Sequence, residues 1–189
     1  EATMPHMPVA SPRYLMGVGR PQDLVDGVSL GVDMFDCVIP TRHARSGTVY
    51  TFQGRIRMTH ARYRRDAYPI DTTCTCYTCS NFSRAYLHHL FSVGEVLGAT
   101  LCTVHNLAFF KELMDRARVA ICAGEFTAFR RDVKDLYPET KEQDQDETRE
   151  RKKAAGSRQG HQGRGDRSKG SEKRGKSGRR GRRGSSRGR

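Results

Sequence analysis

Three cysteines within six residues constrain this chain more than any other feature of its sequence. Cys74, Cys76 and Cys79 form a Cys-x-Cys-x-x-Cys pattern. Three thiols cannot all pair with one another as disulfides, but three thiolates can occupy three corners of the tetrahedron that zinc prefers. The chain must then fold so that a fourth ligand reaches the same point. The alternative interpretation is a group of reduced structural thiols.

The spacing leaves the fourth ligand open. A neutral imidazole suits zinc, and the candidates downstream are His88, His89 and His105, each far enough along the chain to fold back. His105 falls at the start of a predicted amphipathic helix, where packing would hold it rigidly. Four protein ligands would close the coordination shell, so we expect Zn²⁺ to be structural.

The other cysteines bear on the compartment. The chain begins at Glu1, and nothing near it resembles a signal peptide. No run approaches the roughly 20 apolar residues of a membrane span. Six cysteines without export signals favour a reducing, cytoplasmic compartment. Cys37, Cys102 and Cys122 lie in apolar surroundings, and we expect them to be buried.

Charge divides the chain into unlike parts. Residues 151–189 contain 16 Lys and Arg, 2 Asp and Glu, and no Leu, Ile, Val or Phe. Such a segment cannot bury a core and repels itself, so we predict a disordered basic tail. An acidic linker over residues 139–150 precedes it, which leaves residues 1–138 as one folded domain.

A second candidate site lies on a short apolar run over residues 34–39. This run contains one carboxylate, Asp36, and Pro40 is expected to end the strand because proline cannot donate to a sheet ladder. The predicted loop that follows carries Arg42 and Arg45. A carboxylate late in a buried strand, beside a basic loop, suits chemistry on an anionic substrate. The alternative is an Asp that caps a turn or pairs with an arginine.

The preceding segment predicts a βαβ unit and hence an α/β fold. Residues 14–18 form a strand candidate, and a helix is expected to begin at Pro21 before the strand over residues 34–39. Strand, helix and strand in so short a segment imply parallel, buried strands. Gly17 and Asp36 both lie late in their strands, where α/β folds bind ligands. Asp33, at the entrance of the second strand, is expected to cap it.

The rest of the folded part predicts a hairpin and three helices. The hairpin pairs residues 49–51 with 56–58, and residues 62–65 form a solvated basic turn. The helices are expected over residues 82–91, 106–123 and 126–137, with Gly124 as a cap. The face of the middle helix that is predicted to enter the core comprises Leu107, Phe110, Met114, Ala117 and Ile121.

Three runs of the sequence carry a resemblance to a known family. They are YLMGVGRPQDLVDGVSLGVDMFDCVIPTRHARSG, CTCYTCSNFSRAYLHHLF and TVHNLAFFKELM. Over about residues 12–137 the chain closely resembles the carboxyl-terminal part of tRNA-guanine transglycosylases, the queuine tRNA-ribosyltransferase family, and the bacterial branch in particular. The resemblance implies the carboxyl-terminal portion of a (β/α)₈ TIM barrel with a zinc-binding subdomain at about residues 70–125.

The resemblance also implies a reaction. Asp36 falls on the family's catalytic nucleophile, and Tyr14, Met16 and Gly17 fall on the wall of the base pocket. The implied activity exchanges guanine at anticodon position 34 of tRNA for a 7-deazaguanine, preQ1 in the bacterial type. A covalent ester between Asp36 and the ribose is the implied intermediate, as in retaining glycosidases.

The remaining site residues follow the same resemblance. Arg42 and Arg45 fall on the loop that reads the anticodon around position 34, a role suited to guanidinium groups. The residues that fall on the zinc ligands are Cys74, Cys76, Cys79 and His105. This match chooses His105, which spacing alone does not.

The resemblance also implies what this chain lacks. In the family, the general acid/base and the residues that recognise the base come from earlier strands. We therefore expect a carboxyl-terminal fragment that does not catalyse base exchange alone, from an enzyme that is often a homodimer. The competing interpretation is a zinc-stabilised RNA-binding module without catalysis. A purely structural subunit is a third class, disfavoured because Asp36, Arg42 and Arg45 are all present.

Overall fold

The computed structural model describes residues 3–138, so the linker and tail predicted for residues 139–189 lie outside the described residues. Short 3₁₀ turns occupy Met4–His6 and Ala61–Tyr63. The strands are β1 (Tyr14–Met16), β2 (Met34–Asp36), β3 (Thr48–Thr51) and β4 (Gly54–Arg57). The helices are α1 (Pro21–Ser29), α2 (Ile39–Arg45), α3 (Tyr77–Asn81), α4 (Arg84–Val93), α5 (Val96–Cys122) and α6 (Phe126–Leu136).

Strands β1 and β2 form the predicted parallel pair, with α1 as the crossover. Tyr14 lies opposite Met34 and Met16 opposite Asp36. This arrangement confirms the βαβ unit and the α/β class, although both strands are shorter than predicted. The prediction of buried strands is wrong for the described chain. Met16 is 72% exposed, because the sheet has two strands among residues 3–138 and its open face meets solvent.

The segment after β2 differs from the prediction. The strand ends at Asp36, and residues 39–45, predicted as strand end and loop, form helix α2. Pro40 lies in the first turn of this helix, where its missing N–H would be unpaired in any case and its fixed φ suits a helix. Arg42 and Arg45 therefore stand on a helix, and the prediction that they lie in a loop is wrong.

Phe35 of β2 and Cys37, the residue after the strand, lie against glycine backbone. A β-carbon at Gly19 would lie 1.7 Å from the Sγ atom of Cys37, and one at Gly27 of α1 would lie 2.7 Å from the Phe35 ring. Since atoms cannot approach so closely, both positions require glycine. The close approach fixes β2 against α1.

Strands β3 and β4 form the predicted antiparallel hairpin, with Thr48 opposite Arg57 and Thr51 opposite Gly54. All four residues of β3 are buried. The turn that follows β4 contains the exposed Arg62, Arg64 and Arg65, as predicted.

Helix α5 begins ten residues earlier than predicted and buries a different face. Leu107 and Ile121, expected in the core, are 52% and 49% exposed. The buried positions are Gly98, Leu101, Cys102, His105, Asn106, Phe109, Leu113, Ala117 and Ala120. His105 and Asn106 are buried although they are polar, because each bonds to backbone groups of other elements. A search for apolar residues at helical spacing does not detect such positions. His105 consequently lies inside the helix and not at its start.

Two hydrophobic cores lie in the described part of the chain. The buried members of the first core, near the cysteines, are Ala44, Val49, Met58, Tyr63, Ile70, Cys79, Leu87, Leu90, Leu101 and Cys102. Those of the second core are Leu24, Val25, Tyr50, Phe109, Leu113, Val133 and Tyr137. Together they join every helix of residues 3–138 to a neighbour.

The chain reverses after α5 at Gly124. This residue has φ +75°, and the N–H of Glu125 bonds to the Ala120 carbonyl at 2.8 Å, which confirms the predicted cap. Of the three cysteines predicted to be buried, Cys102 is fully buried and Cys37 half-buried. Cys122 is exposed at the end of α5, so that prediction is wrong. No helix within residues 3–138 combines the length and apolarity needed to cross a membrane.

Candidate functional site

Three of the predicted site residues lie on the β1–β2 pair. Side chains alternate along a strand, and the register places Tyr14 beside Met34 and Met16 beside Asp36. These four side chains therefore project from the same face. The structure thus brings Tyr14 and Met16, which the resemblance names, to the same face as Asp36.

Two donors hold the Asp36 carboxylate. The Gly17 N–H donates to its Oδ1 atom at 3.1 Å. Gly17 has φ +76°, a conformation that glycine adopts without strain, and it ends β1 by turning this N–H towards β2. The hydrogen bond from the Tyr14 hydroxyl to Asp36, with lesser effects of desolvation and the carboxylate charge, raises the pKa of Tyr14. Tyr14 therefore stays a protonated donor at neutral pH.

Asp36 and Asp33 differ in what they contact. Asp33 Oδ2 accepts a hydrogen bond from the Arg13 backbone N–H at 2.8 Å, ahead of β1. That contact confirms a capping role at the strand entrance. Asp36 is exposed, and its carboxylate lies at the strand end on the open face. Such a carboxylate can act as a nucleophile towards a substrate that approaches this face.

Arg42 and Arg45 stand three residues apart on α2, so their side chains share one side of the helix. Arg42 is half-buried and Arg45 is exposed. The helix follows β2 after two residues, which ties its position to the strand that carries Asp36. The pair offers two fixed positive charges to an anionic partner.

The predicted metal ligands converge. The Sγ atoms of Cys74, Cys76 and Cys79 and a ring nitrogen of His105 all lie within 4.8 Å of one another. His105 Nδ1 is 3.3 Å from Cys79 Sγ and 3.7 Å from Cys76 Sγ. In a tetrahedral zinc site with ordinary bond lengths, a sulfur and a nitrogen ligand are about 3.6 Å apart. The donor set and its spacing therefore fit zinc.

The local structure explains this convergence. Cys76 caps the short helix α3, accepting the Cys79 N–H at 3.5 Å, so the two thiols meet across one turn. Thr78 Oγ1 donates to the Leu101 carbonyl of α5 at 2.7 Å. This bond ties α3 to α5, where His105 projects one turn later.

A hydrogen bond beyond the ligands selects the His105 tautomer. Its Nε2 donates to the Tyr50 carbonyl at 2.8 Å, which leaves Nδ1 unprotonated and available to a metal. Of the other candidates, His88 directs Nδ1 to the Met58 carbonyl at 2.8 Å, and neither it nor His89 joins the cluster found in the described residues. The geometry thus selects His105 independently of any resemblance.

The three thiols of the cluster differ in proton affinity. A hydrogen bond from Cys79 is the largest effect on Cys76, and it outweighs desolvation and lowers the pKa of this thiol to about 3. The pKa of Cys79 is raised, chiefly because its proton is held in the bond to Cys76, and burial raises that of Cys74. A thiolate is the form in which cysteine binds a metal, and Cys76 reaches it most readily of the three.

Sequence reasoning missed one residue of this region. Asn106 is fully buried beside His105 and bonds to backbone groups of two other elements. The sequence hints at a role for Asn106 only because this residue follows the predicted ligand His105, and that position does not identify its hydrogen-bond partners.

These features define a class of protein: an α/β chain with a Cys₃His cluster fit for a structural metal and an exposed carboxylate at a strand end. A family profile described as queuine tRNA-ribosyltransferase matches residues 1–139. The chain belongs to that family.

Individual relatives agree. The chain is 55% identical over 135 residues to the queuine tRNA-ribosyltransferase of Solidesulfovibrio magneticus, covering 71% of this chain and 36% of the relative. It is 60% identical over 127 residues to that of Methylobacillus flagellatus, covering 67% and 34%. The chain thus spans about a third of the length of the curated relatives it matches.

Proposed function

We propose that this chain is the carboxyl-terminal part of a tRNA-guanine transglycosylase, a pentosyltransferase. The enzyme exchanges guanine 34 of the tRNA anticodon for a 7-deazaguanine, preQ1 in the bacterial type. The observation that carries the proposal is Asp36, exposed at the end of β2 and held by Gly17 and Tyr14. Family membership supports the reaction class.

Asp36 is the proposed nucleophile. Its carboxylate oxygen attacks C1′ of ribose 34, and the glycosidic bond breaks as guanine leaves with the bonding electron pair and receives a proton. A ribosyl ester of Asp36 results. The deazaguanine then attacks C1′ from the vacated side, loses a proton and displaces the carboxylate. Two displacements retain the configuration at C1′.

The neighbouring residues have supporting roles in this proposal. Tyr14 and Met16 line the face beside Asp36 and form a wall for the base. Gly17 lets its backbone N–H reach the carboxylate and leaves space for the base, since nothing lies within 4 Å of where its β-carbon would be. Arg42 and Arg45 contact the splayed anticodon, because guanidinium groups stack on bases and pair with phosphates.

The remaining proposals concern the complete protein. Zn²⁺, held by the Cys₃His cluster, supplies structural support, since four protein ligands leave no open position. The parallel β1–β2 pair is the end of a (β/α)₈ barrel in the cytoplasm, where tRNA and reduced thiols occur together. An exposed apolar stripe on α5 supports a homodimer; it comprises Val96, Leu97, Val104 and Leu107.

The test is a denaturation-resistant adduct between tRNA and the enzyme completed with the upstream segment that its relatives carry. Asp36→Asn is expected to abolish the adduct, because an amide is a poor nucleophile. Asp33→Asn is the matched control and should retain it. The reverse result refutes the assignment of Asp36.

A second candidate function is RNA binding without catalysis by this chain alone. Two observations favour it: residues 151–189 are strongly basic, and the chain spans only about a third of the length of its relatives. We expect the purified chain not to incorporate labelled guanine into tRNA, and expect incorporation once the upstream segment is restored. Turnover by the chain alone would show that its own residues supply the proton donor.

A further inference from the structure

Asn106, one residue beyond His105, uses its whole carboxamide on backbone groups of two other elements. Its Oδ1 accepts the Tyr50 N–H at 3.1 Å, and its Nδ2 donates to the carbonyls of Thr48 at 3.1 Å and Pro40 at 2.9 Å. An amide has one acceptor oxygen and two N–H donors, so each is engaged here. Because two partners are carbonyls and one is an N–H, only one orientation of the amide fits.

These partners belong to the two elements that flank α5. The Tyr50 N–H and carbonyl and the Thr48 carbonyl all bond to side chains of α5, so α5 covers this edge of β3. Pro40 lies in the first turn of α2. His105 donates to the Tyr50 carbonyl, and the Tyr50 hydroxyl bonds to His43 of α2. Helix α5 therefore bonds both the N–H and the carbonyl of Tyr50, and it reaches α2 by two routes.

We propose that Asn106 is a positioning residue for RNA binding. It joins the helix of the metal centre to the first turn of the helix that presents Arg42 and Arg45. Helix α2 has seven residues, too short to hold its conformation without tertiary contacts. The bond to Pro40 therefore sets where the two guanidinium groups stand relative to Asp36. The inference rests on the proposed role of these arginines.

Asn106→Asp is the most conservative perturbation, because it keeps the side-chain size and the acceptor but removes both donors. The carbonyls of Pro40 and Thr48 then face a carboxylate. We expect faster amide hydrogen exchange in α2 and unchanged exchange in α6.

Thr78→Val is the matched control. Thr78 is fully buried, and its hydroxyl also bonds a side chain to backbone between α5 and a neighbour, but that neighbour is α3. The variant therefore loses a buried bond to α5 without touching α2. Because the same bond ties α3 to the helix that carries His105, Tyr137→Phe replaces this control where Thr78→Val loses its zinc; the Tyr137 hydroxyl bonds buried backbone of β3 and contacts neither α2 nor the cluster. Zinc content is measured for every variant. Where Asn106→Asp loses its zinc, Asn106→Ser replaces it, since a serine hydroxyl is too short to reach Pro40.

The readout is the affinity of the whole chain for a synthetic RNA hairpin with the sequence of a tRNA anticodon arm. We expect Asn106→Asp to weaken binding about three- to tenfold, which lies within the roughly two- to thirtyfold range of couplings of this kind. Adding it to the Arg42→Ala/Arg45→Ala double variant should weaken binding no further, since residues that act through one another are not additive. Thr78→Val should stay within about twofold of wild type.

Three results overturn the inference while the proposed role of the arginines stands. They are an equal loss in the double-variant background, an equal loss from Thr78→Val, and unchanged exchange in α2. If removing Arg42 and Arg45 leaves hairpin affinity unchanged, the role proposed for the arginines fails and the inference fails with it. That outcome is recognised from the double variant alone.

Discussion

Removal of the metal is expected to unfold one core before the other. The first core contains Cys79 and packs against Cys74 and Cys76, whereas no thiol ligand belongs to the second core, which includes Tyr50 and Phe109. Withdrawing zinc therefore removes direct support from the first core. We expect α3 and α4 to lose protection from hydrogen exchange while α1 and α6 keep theirs.

The magnitude follows from comparing two free energies. Structural zinc contributes about 10–16 kcal/mol of apparent binding free energy in small zinc-dependent domains, and whole domains are stable by only about 5–15 kcal/mol. The free energy lost with zinc thus exceeds the stability that the contacts of the first core can provide. The second core keeps its own contacts, such as the Tyr50 and Tyr137 rings 5.8 Å apart and the Asp26–Arg130 ion pair at 2.6 Å.

The assay is hydrogen exchange resolved by mass spectrometry, before and after chelation with phenanthroline, with zinc measured in parallel. About one zinc per chain is expected in the wild type. Cys76→Ala should lose it and reproduce the exchange pattern of the chelated protein. Cys102→Ala is the control: Cys102 is fully buried in the first core but is not a ligand, so zinc should remain and the cavity should cost about 1–2 kcal/mol. Equal loss of protection in both cores, or full zinc in Cys76→Ala, refutes this reasoning.

Three further predictions concern charge and buried hydrogen bonds. Deleting the basic residues 151–189 should flatten the salt dependence of tRNA binding without changing which tRNA is bound, because fewer counterions are released; an unchanged slope contradicts this. Partial desolvation of Asp26 is outweighed by its hydrogen bonds from Lys134 and Arg130 of α6, so the pKa of Asp26 is lowered from 3.8. The ionised Asp26 therefore stabilises the fold above its unfolded-state pKa, and this stabilisation is lost as the pH falls through its folded-state pKa. Asp26→Asn should lower the free energy of unfolding in urea by up to about 1 kcal/mol at pH 7, and by progressively less below about pH 4. Tyr137→Phe should cost about 2–3 kcal/mol in the same assay, because the hydroxyl bonds both the N–H and the carbonyl of the buried Thr51; a loss below about 0.5 kcal/mol contradicts this.

Local patterns in the sequence predicted what local physics decides. The thiols of Cys74, Cys76 and Cys79 lie so close along the chain that almost any fold brings them together. The βαβ unit likewise follows from short-range periodicity and from Pro21 at a helix start. Both predictions needed no knowledge of distant partners.

The errors arose where distant contacts decide. A proline after an apolar run fits both a strand end and a first helical turn, and Pro40 takes the second because α2 packs along α5. The buried face of α5 includes Asn106, whose partners are 56 to 66 residues away along the chain, so its polarity hid its place in the core. Leu107 is apolar but exposed for the converse reason: among the described residues, nothing covers it.

The glycine contacts of β2 have a consequence for how sequence variation in this family is interpreted. In a saturation mutagenesis screen, alanine at Gly19 or Gly27 should be as harmful as loss of Asp36, because the new β-carbon would push away Cys37 or Phe35 and move β2 with them. A screen scored on activity alone would therefore count both glycines as participants in the reaction. The two glycines would instead tolerate no substitution because β2 packs so closely against the backbone behind it.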